Sequence, residues 1–278
     1  MASRFEIRID GTSLVGESAG FGMPVIFLHA ELTDRRMWAG QIEAVAAAGF
    51  HVVAYDRRGF GESEVAEGAF SDLDDLEALL DRLSINAAIL VGSSAGGGLA
   101  IDFAIENPDR TVGLVLVGTT VSGADEPEFP EALEELLDAR SYAAERRQWP
   151  SVNRLDAQLW LDGPTSKAGR VDGEPRRLFL EMNGDRLARG PVTPPEELQP
   201  AIDNLAGLSS PVLLIAGELD FPHVHELQDD LEGELENGFA VTLEETAHFP
   251  NLERPDLFDP VLLEFLEALA GTGEDEDN

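Results

Sequence analysis

Gly92-Ser93-Ser94-Ala95-Gly96 sets a serine between two glycines in the pattern G-x-S-x-G. A serine hydroxyl is a weak nucleophile until a base takes its proton, and that base must itself be held by a carboxylate. The chain supplies both further on: Asp220 in Ala216-Gly217-Glu218-Leu219-Asp220, and His248 in Glu245-Thr246-Ala247-His248-Phe249-Pro250. Ser94, Asp220 and His248 together point to acyl transfer, with water as the final acceptor and no cofactor required. Such chemistry also needs donors for a developing oxyanion. The backbone N–H of Ala95, directly after the nucleophile, is one; the loop His29-Ala30-Glu31-Leu32-Thr33-Asp34 is expected to supply the second.

Other residues of the same types fit less well. Ser93 is the poorer nucleophile, because the residues two away from it are Val91 and Ala95. His51 starts a strand and so stands at the wrong edge of a sheet, while His223 and His225 follow Asp220 closely enough to line its loop rather than face Ser94. Asp220, His223 and His225 do not make a recurring metal-ligand spacing, and no metal is expected. Glu218 is a rival acid, read as solvated.

These residues need a frame that brings three distant stretches to one rim. Short β-branched runs alternate with alanine- and leucine-rich helical segments, the pattern of a mostly parallel sheet with helices on both faces. Strands are expected at Phe5 to Ile9, Ser13 to Glu17, Val25 to Leu28, His51 to Tyr55, Ala87 to Val91, Val112 to Val117, Val212 to Ile215 and Phe239 to Leu243. Asp10-Gly11 predicts an opening hairpin. Helices are expected over Asp34 to Ala48, Ser71 to Leu83, Val224 to Leu235 and Asp256 to Ala270, with Ser71 as a cap. Ser94 then follows a strand and opens a helix, whereas Asp220 and His248 lie on loops at carboxyl ends of strands, where open α/β sheets bind ligands. Residues 121–205 carry helical segments and prolines without a convincing strand, and predict a helical lid inserted between core segments 1–120 and 206–270. The acidic end 271–278 is expected to be disordered.

The order Ser, Asp, His, together with Phe27-Leu28-His29-Ala30, Tyr55-Asp56-Arg57-Arg58-Gly59-Phe60-Gly61-Glu62-Ser63, Gly217-Glu218-Leu219-Asp220 and Ala247 through Glu253, resembles the α/β-hydrolase fold superfamily. Within it the chain is similar to lid-bearing serine esterases and lactonases of the 3-oxoadipate enol-lactonase type. The resemblance implies the α/β-hydrolase fold, a doubly wound sheet with an inserted lid, and cleavage of a small carboxylic ester or lactone through an acyl-enzyme. It makes Glu31 the second oxyanion donor and groups His29 with the substrate-binding residues. In that family the residue after this histidine is usually glycine; here it is Ala30, and Glu31 brings a carboxylate beside a site meant for an anion. Asp56 and Arg57 are expected to hold their loop by hydrogen bonds. Trp149 and Trp160, with Phe179, are candidates to line an acyl pocket, although aromatic residues at helical spacing are more often packing. Trp38 reads as core, and Arg146-Arg147 and Arg176-Arg177 as ion-pair anchors of the lid, with binding of an acidic substrate as the alternative. The same triad also serves hydrolysis of a carbon–carbon bond in a diketone, cofactor-free perhydrolysis, or a ligand receptor with slow turnover.

The 278 residues hold 54 acids against 19 bases, a formal net charge of -35, with Lys167 the single lysine and no cysteine. The missing cysteine excludes a disulfide scaffold. So negative a surface repels phosphate backbones and anionic head groups, which argues against nucleic acid or membrane partners and for a small-molecule substrate. No apolar run approaches the ~20 residues of a membrane span, and a cytoplasmic protein is expected. The acids are spread through the chain, as in adaptation to molar salt, where a Debye length of ~3 Å screens self-repulsion. Nothing in the sequence sets the oligomeric state.

Overall fold

A computed structural model of the chain describes residues 2–9, 11–64, 70–125, 127–190 and 200–272. Eight strands form one sheet: β1 (Ser3–Ile9), β2 (Thr12–Gly20), β3 (Pro24–Leu28), β4 (His51–Tyr55), β5 (Ala88–Ser93), β6 (Thr111–Val117), β7 (Val212–Gly217) and β8 (Gly238–Leu243). Their spatial order is β1-β2-β4-β3-β5-β6-β7-β8. The opening hairpin pairs Ile9 with Thr12, and β2 runs antiparallel to β4. From β4 to β8 every neighbouring pair is parallel.

Side-chain alternation along these strands builds two cores. Ile26, Leu28, Leu90, Leu114, Leu116 and Leu214 face one side, packed with helices α2 (Asp72–Arg82), α3 (Ala95–Glu106) and Leu231 of α7 (Pro222–Glu234). Val25, Phe27, Ile89, Val91, Val115, Val117 and Ile215 face the other, against α1 (Ala39–Ala47), the short α8 (Pro250–Glu253) and the closing helix α9 (Pro255–Thr272). Trp38 belongs to this second core and is fully buried. The sheet is therefore doubly wound.

Helix ends differ from expectation by a few residues, and α7 begins at Pro222 rather than Val224. The segment expected to be helical from Asp34 begins instead with a 3-10 turn, Arg35–Trp38, because the Asp34 carboxylate accepts the Arg36 N–H at 3.0 Å and holds a tight first turn before α1. At the other end α9 runs two residues into the expected tail, through Thr272, and the rest of that tail lies outside the described residues. Ser71 caps α2 by accepting the Asp74 N–H at 3.1 Å.

Between β6 and β7 the described chain is helical: α4 (Glu131–Glu145), α5 (Trp149–Asp156) continuing into a π-helical turn (Ala157–Asp162), and α6 (Gly173–Arg189). Residues 191–199 of the expected lid lie outside the described residues. Asp162, fully buried, fixes the link from the π turn to α6. Its carboxylate accepts from the Gly169 N–H at 2.7 Å, the Val171 N–H at 3.0 Å and the Arg176 guanidinium at 2.8 Å. Of the four arginines expected to anchor the lid, Arg176 alone does so through a buried partner. Arg177 pairs with exposed Glu174 and Glu181 on its own helix, and Arg146 lies 3.5 Å over the Tyr142 ring at the surface. Arg147 makes no ion pair among the described residues; its φ of 56° ends α4 in a left-handed turn. No helix among the described residues is long and apolar enough to cross a membrane.

Candidate active site

Ser94 stands between the end of β5 and the start of α3 with φ 50° and ψ -117°, a conformation costly for a residue with a side chain. Contacts on both sides enforce it. Its N–H donates to the Val117 carbonyl at 2.9 Å, while its own carbonyl accepts from Gly97 and Gly98 at 2.8 and 3.1 Å. A Cβ on Gly92 would stand 2.3 Å from the Gly96 carbonyl oxygen, and one on Gly96 would stand 2.3 Å from that of Leu28. The glycines of G-x-S-x-G are thus required by close approach of backbone to backbone.

Asp220 is held on the turn after β7, where its N–H donates to Gly217 and that of Leu219 to Thr246. Its carboxylate accepts the Phe221 N–H at 2.8 Å and meets His248 Nδ1 at 2.9 and 3.0 Å. Both side chains are nearly closed to solvent. A carboxylate only accepts, so Nδ1 carries the proton and Nε2 keeps its lone pair. The loop bearing His248 is tied on two further sides. The His248 N–H donates to the Trp160 carbonyl in the π-helical turn at 3.2 Å, and the Ala247 N–H donates to the Glu253 carboxylate at 2.9 Å. Burial pushes the Glu253 carboxyl up to about 7, and the Arg170 guanidinium against it opposes that rise.

Ser94 and His248 line one cavity of about 350 Å³ with Glu31, Trp160, Arg140 and Arg186. The N–H groups of Glu31 and Ala95 donate to no other group among the described residues, as oxyanion donors must; that of Leu32 is likewise unspent. The Glu31 carboxylate is paired with Arg186 at 2.8 Å. A second cavity of about 360 Å³ adjoins the first through shared Glu31, Arg140 and Arg186, and carries Phe60, Trp149 and Leu187.

The remaining expected residues fall apart by environment. Trp160 lines the first cavity and Trp149 only the second, while Phe179 is fully buried against Phe249 and lines neither. His29 requires correction as a substrate-binding residue. It is fully buried, its Nδ1 donates to the Ala30 carbonyl at 2.8 Å, and its Nε2 accepts the Arg57 N–H at 2.9 Å. With both nitrogens spent on backbone it braces the loops beneath the site, and burial together with the Arg57 charge holds its pKa well below the ordinary 6.5. Asp56 holds its loop by accepting from the Arg35 and Glu62 N–H groups, both at 2.8 Å, and Arg57 reaches Asp72 at 3.0 Å. Glu218 is exposed and accepts the Glu245 N–H at 2.9 Å. His51 bonds Ser18 at 2.9 Å at the opposite rim, and His223 stacks edge-on against Phe129. No cluster suited to a metal ion occurs among the described residues.

Arg140 and Arg186 were not legible as site residues in the sequence. Arg140 lies on α4 with its Nε 2.5 Å from buried Asp156 and its guanidinium 5.5 Å from the Trp160 ring. Only the three-dimensional packing of α4 brings it to the cavity that Ser94 lines.

A shorter match covers 111 residues at 35% identity, 38% of this chain and 34% of an epoxide hydrolase from Caballeronia sordidicola. A pimeloyl-[acyl-carrier protein] methyl ester esterase from Nitrosospira multiformis is 28% identical over 91% of this chain and 98% of its own. A thermophilic esterase from Thermogutta terrifontis, solved with malate bound, superposes with a TM-score of 0.75 at 27% identity, over 97% of this chain and 100% of that one. The model of the alpha/beta hydrolase family matches residues 25–260, and the chain belongs to that family.

Proposed function

We propose that the protein is a serine hydrolase that cleaves a small carboxylic ester or lactone through an acyl-enzyme. The observation that carries this reading is the buried Asp220–His248 pair, which saturates Nδ1 and leaves Nε2 as the base, on the cavity that Ser94 also lines. His248 Nε2 takes the hydroxyl proton as Ser94 Oγ attacks the carbonyl carbon, and the oxyanion is met by the N–H groups of Ala95 and Glu31. The imidazolium, stabilised by Asp220, returns the proton to the departing alkoxide. Water then attacks the acyl-Ser94 ester with His248 again as base, and the imidazolium returns that proton to Ser94 Oγ as the acid leaves.

The test is turnover of a panel of short-chain p-nitrophenyl esters and γ-lactones in molar KCl, with Ser94→Ala as control. Wild-type turnover that Ser94→Ala lowers by at least about 10³-fold is the expected result. Equal rates for the two proteins would remove the serine from the mechanism.

A further inference from the structure

Glu31 poses an electrostatic problem. If its N–H meets the oxyanion, its own carboxylate lies within a Debye length, about 10 Å at 0.1 M salt, of a charge that must be stabilised. Arg186 answers it. Its Nη2 stands 2.8 Å from Glu31 Oε1, both residues line the cavity that holds Ser94 and His248, and neither side chain makes another hydrogen bond or ion pair among the described residues. The Arg186 side chain is 21% exposed and that of Glu31 62%, so the pair is partly wet and its worth as a structural tie is small. Its worth to a reacting centre can be larger, because an uncompensated carboxylate would act on the transition state directly.

We infer that Arg186 is a positioning residue for the oxyanion hole: by pairing with Glu31 it cancels the charge of a donor residue that would otherwise oppose the anion it binds. The inference rests on the serine-hydrolase reading and reaches beyond it, since the pair joins a lid helix to the loop after β3 and makes the hole electrically complete only when α6 is docked.

The experiment measures the second-order rate of Ser94 labelling by a fluorophosphonate, which requires no knowledge of the substrate. Ser94 Oγ forms a bond to phosphorus as the P–F bond breaks, fluoride leaves, His248 takes the hydroxyl proton, and the phosphonyl oxygen enters the hole. Arg186→Gln is expected to slow labelling about tenfold in 0.2 M KCl, and less in 2 M KCl, where screening shields the bare carboxylate. The double variant Arg186→Gln/Glu31→Gln is expected to return to within about twofold of wild type, and Arg186→Lys to stay near it. A simple tie between lid and core predicts the reverse, with the double variant as slow as the single. That result, or an unimpaired Arg186→Gln, overturns the inference. Should Arg186→Gln fail to fold, Glu31→Gln alone decides: labelling faster than wild type supports the inference, and slower labelling overturns it. Absence of labelling in the wild type itself overturns the hydrolase reading, and the inference with it.

Discussion

His29 and His248 sit on neighbouring loops and differ in what their ring nitrogens meet. His248 gives one nitrogen to a carboxylate and keeps the other; His29 gives both to backbone. The second arrangement requires the neutral ring, because Nε2 must accept from Arg57, and burial enforces neutrality. Between the lowered folded value and the ordinary 6.5 the unfolded chain binds a proton that the folded chain refuses, so this group's contribution to stability is lost as pH falls through that window. The slope reaches about 1.4 kcal/mol per pH unit. Guanidinium unfolding of wild type and His29→Gln at pH 7, 6 and 5 in molar KCl should show the wild type losing more stability on acidification. Parallel lines for the two proteins would mean that the ring does not titrate with folding. In the sequence His29 and His248 were alike in type and in following a strand, and partner identity separates them only in three dimensions. The three groups of the candidate triad could be picked out in sequence because each carries a local signal: glycines around Ser94, and a strand end before Asp220 and before His248. Arg186 carries none, since its partner lies 155 residues away.

All eight strands were readable, with ends within about three residues, since continuous apolar runs bounded by turn residues leave little choice in a sheet buried on both faces. The segment between β6 and β7 was readable as helical but not in its internal geometry, which depends on a few buried charges that periodicity cannot show. Asp162 is the clearest of these: one fully buried carboxylate orders the link from Gly163 to Asp172 by accepting two backbone N–H groups and Arg176. Asp162→Ala would strand those donors and leave a guanidinium without its counter-charge, at a cost of about 3 kcal/mol. Chemical denaturation reads the loss, and hydrogen exchange should place the increased opening in this link and the first turns of α6 rather than in the sheet. A loss below about 0.5 kcal/mol would mean that water replaces the carboxylate without penalty.

At the scale of the whole molecule, the net charge of -35 governs the conditions under which the fold is stable. Most arginines already hold acidic partners, as at Arg36 with Asp34, Glu181 and Asp185, yet acids exceed bases so far that the surface remains strongly self-repelling. Added salt shortens the range of that repulsion, and the midpoint of thermal unfolding should rise by roughly 10 °C or more between 0.1 and 2 M KCl. Sucrose of equal osmolality is the control: an equal rise in sucrose would assign the effect to solvent exclusion instead of charge. The other global consequence comes from a single torsion. The left-handed backbone at Ser94 costs about 1–3 kcal/mol, and glycine takes that conformation freely, at the price of roughly 0.5–1 kcal/mol of extra chain entropy. Ser94→Gly should therefore melt no lower than wild type, and under the proposed function it would lose turnover. Selection for heat resistance alone would drift toward inert proteins, and any breeding of a hardier variant has to score catalysis in every round.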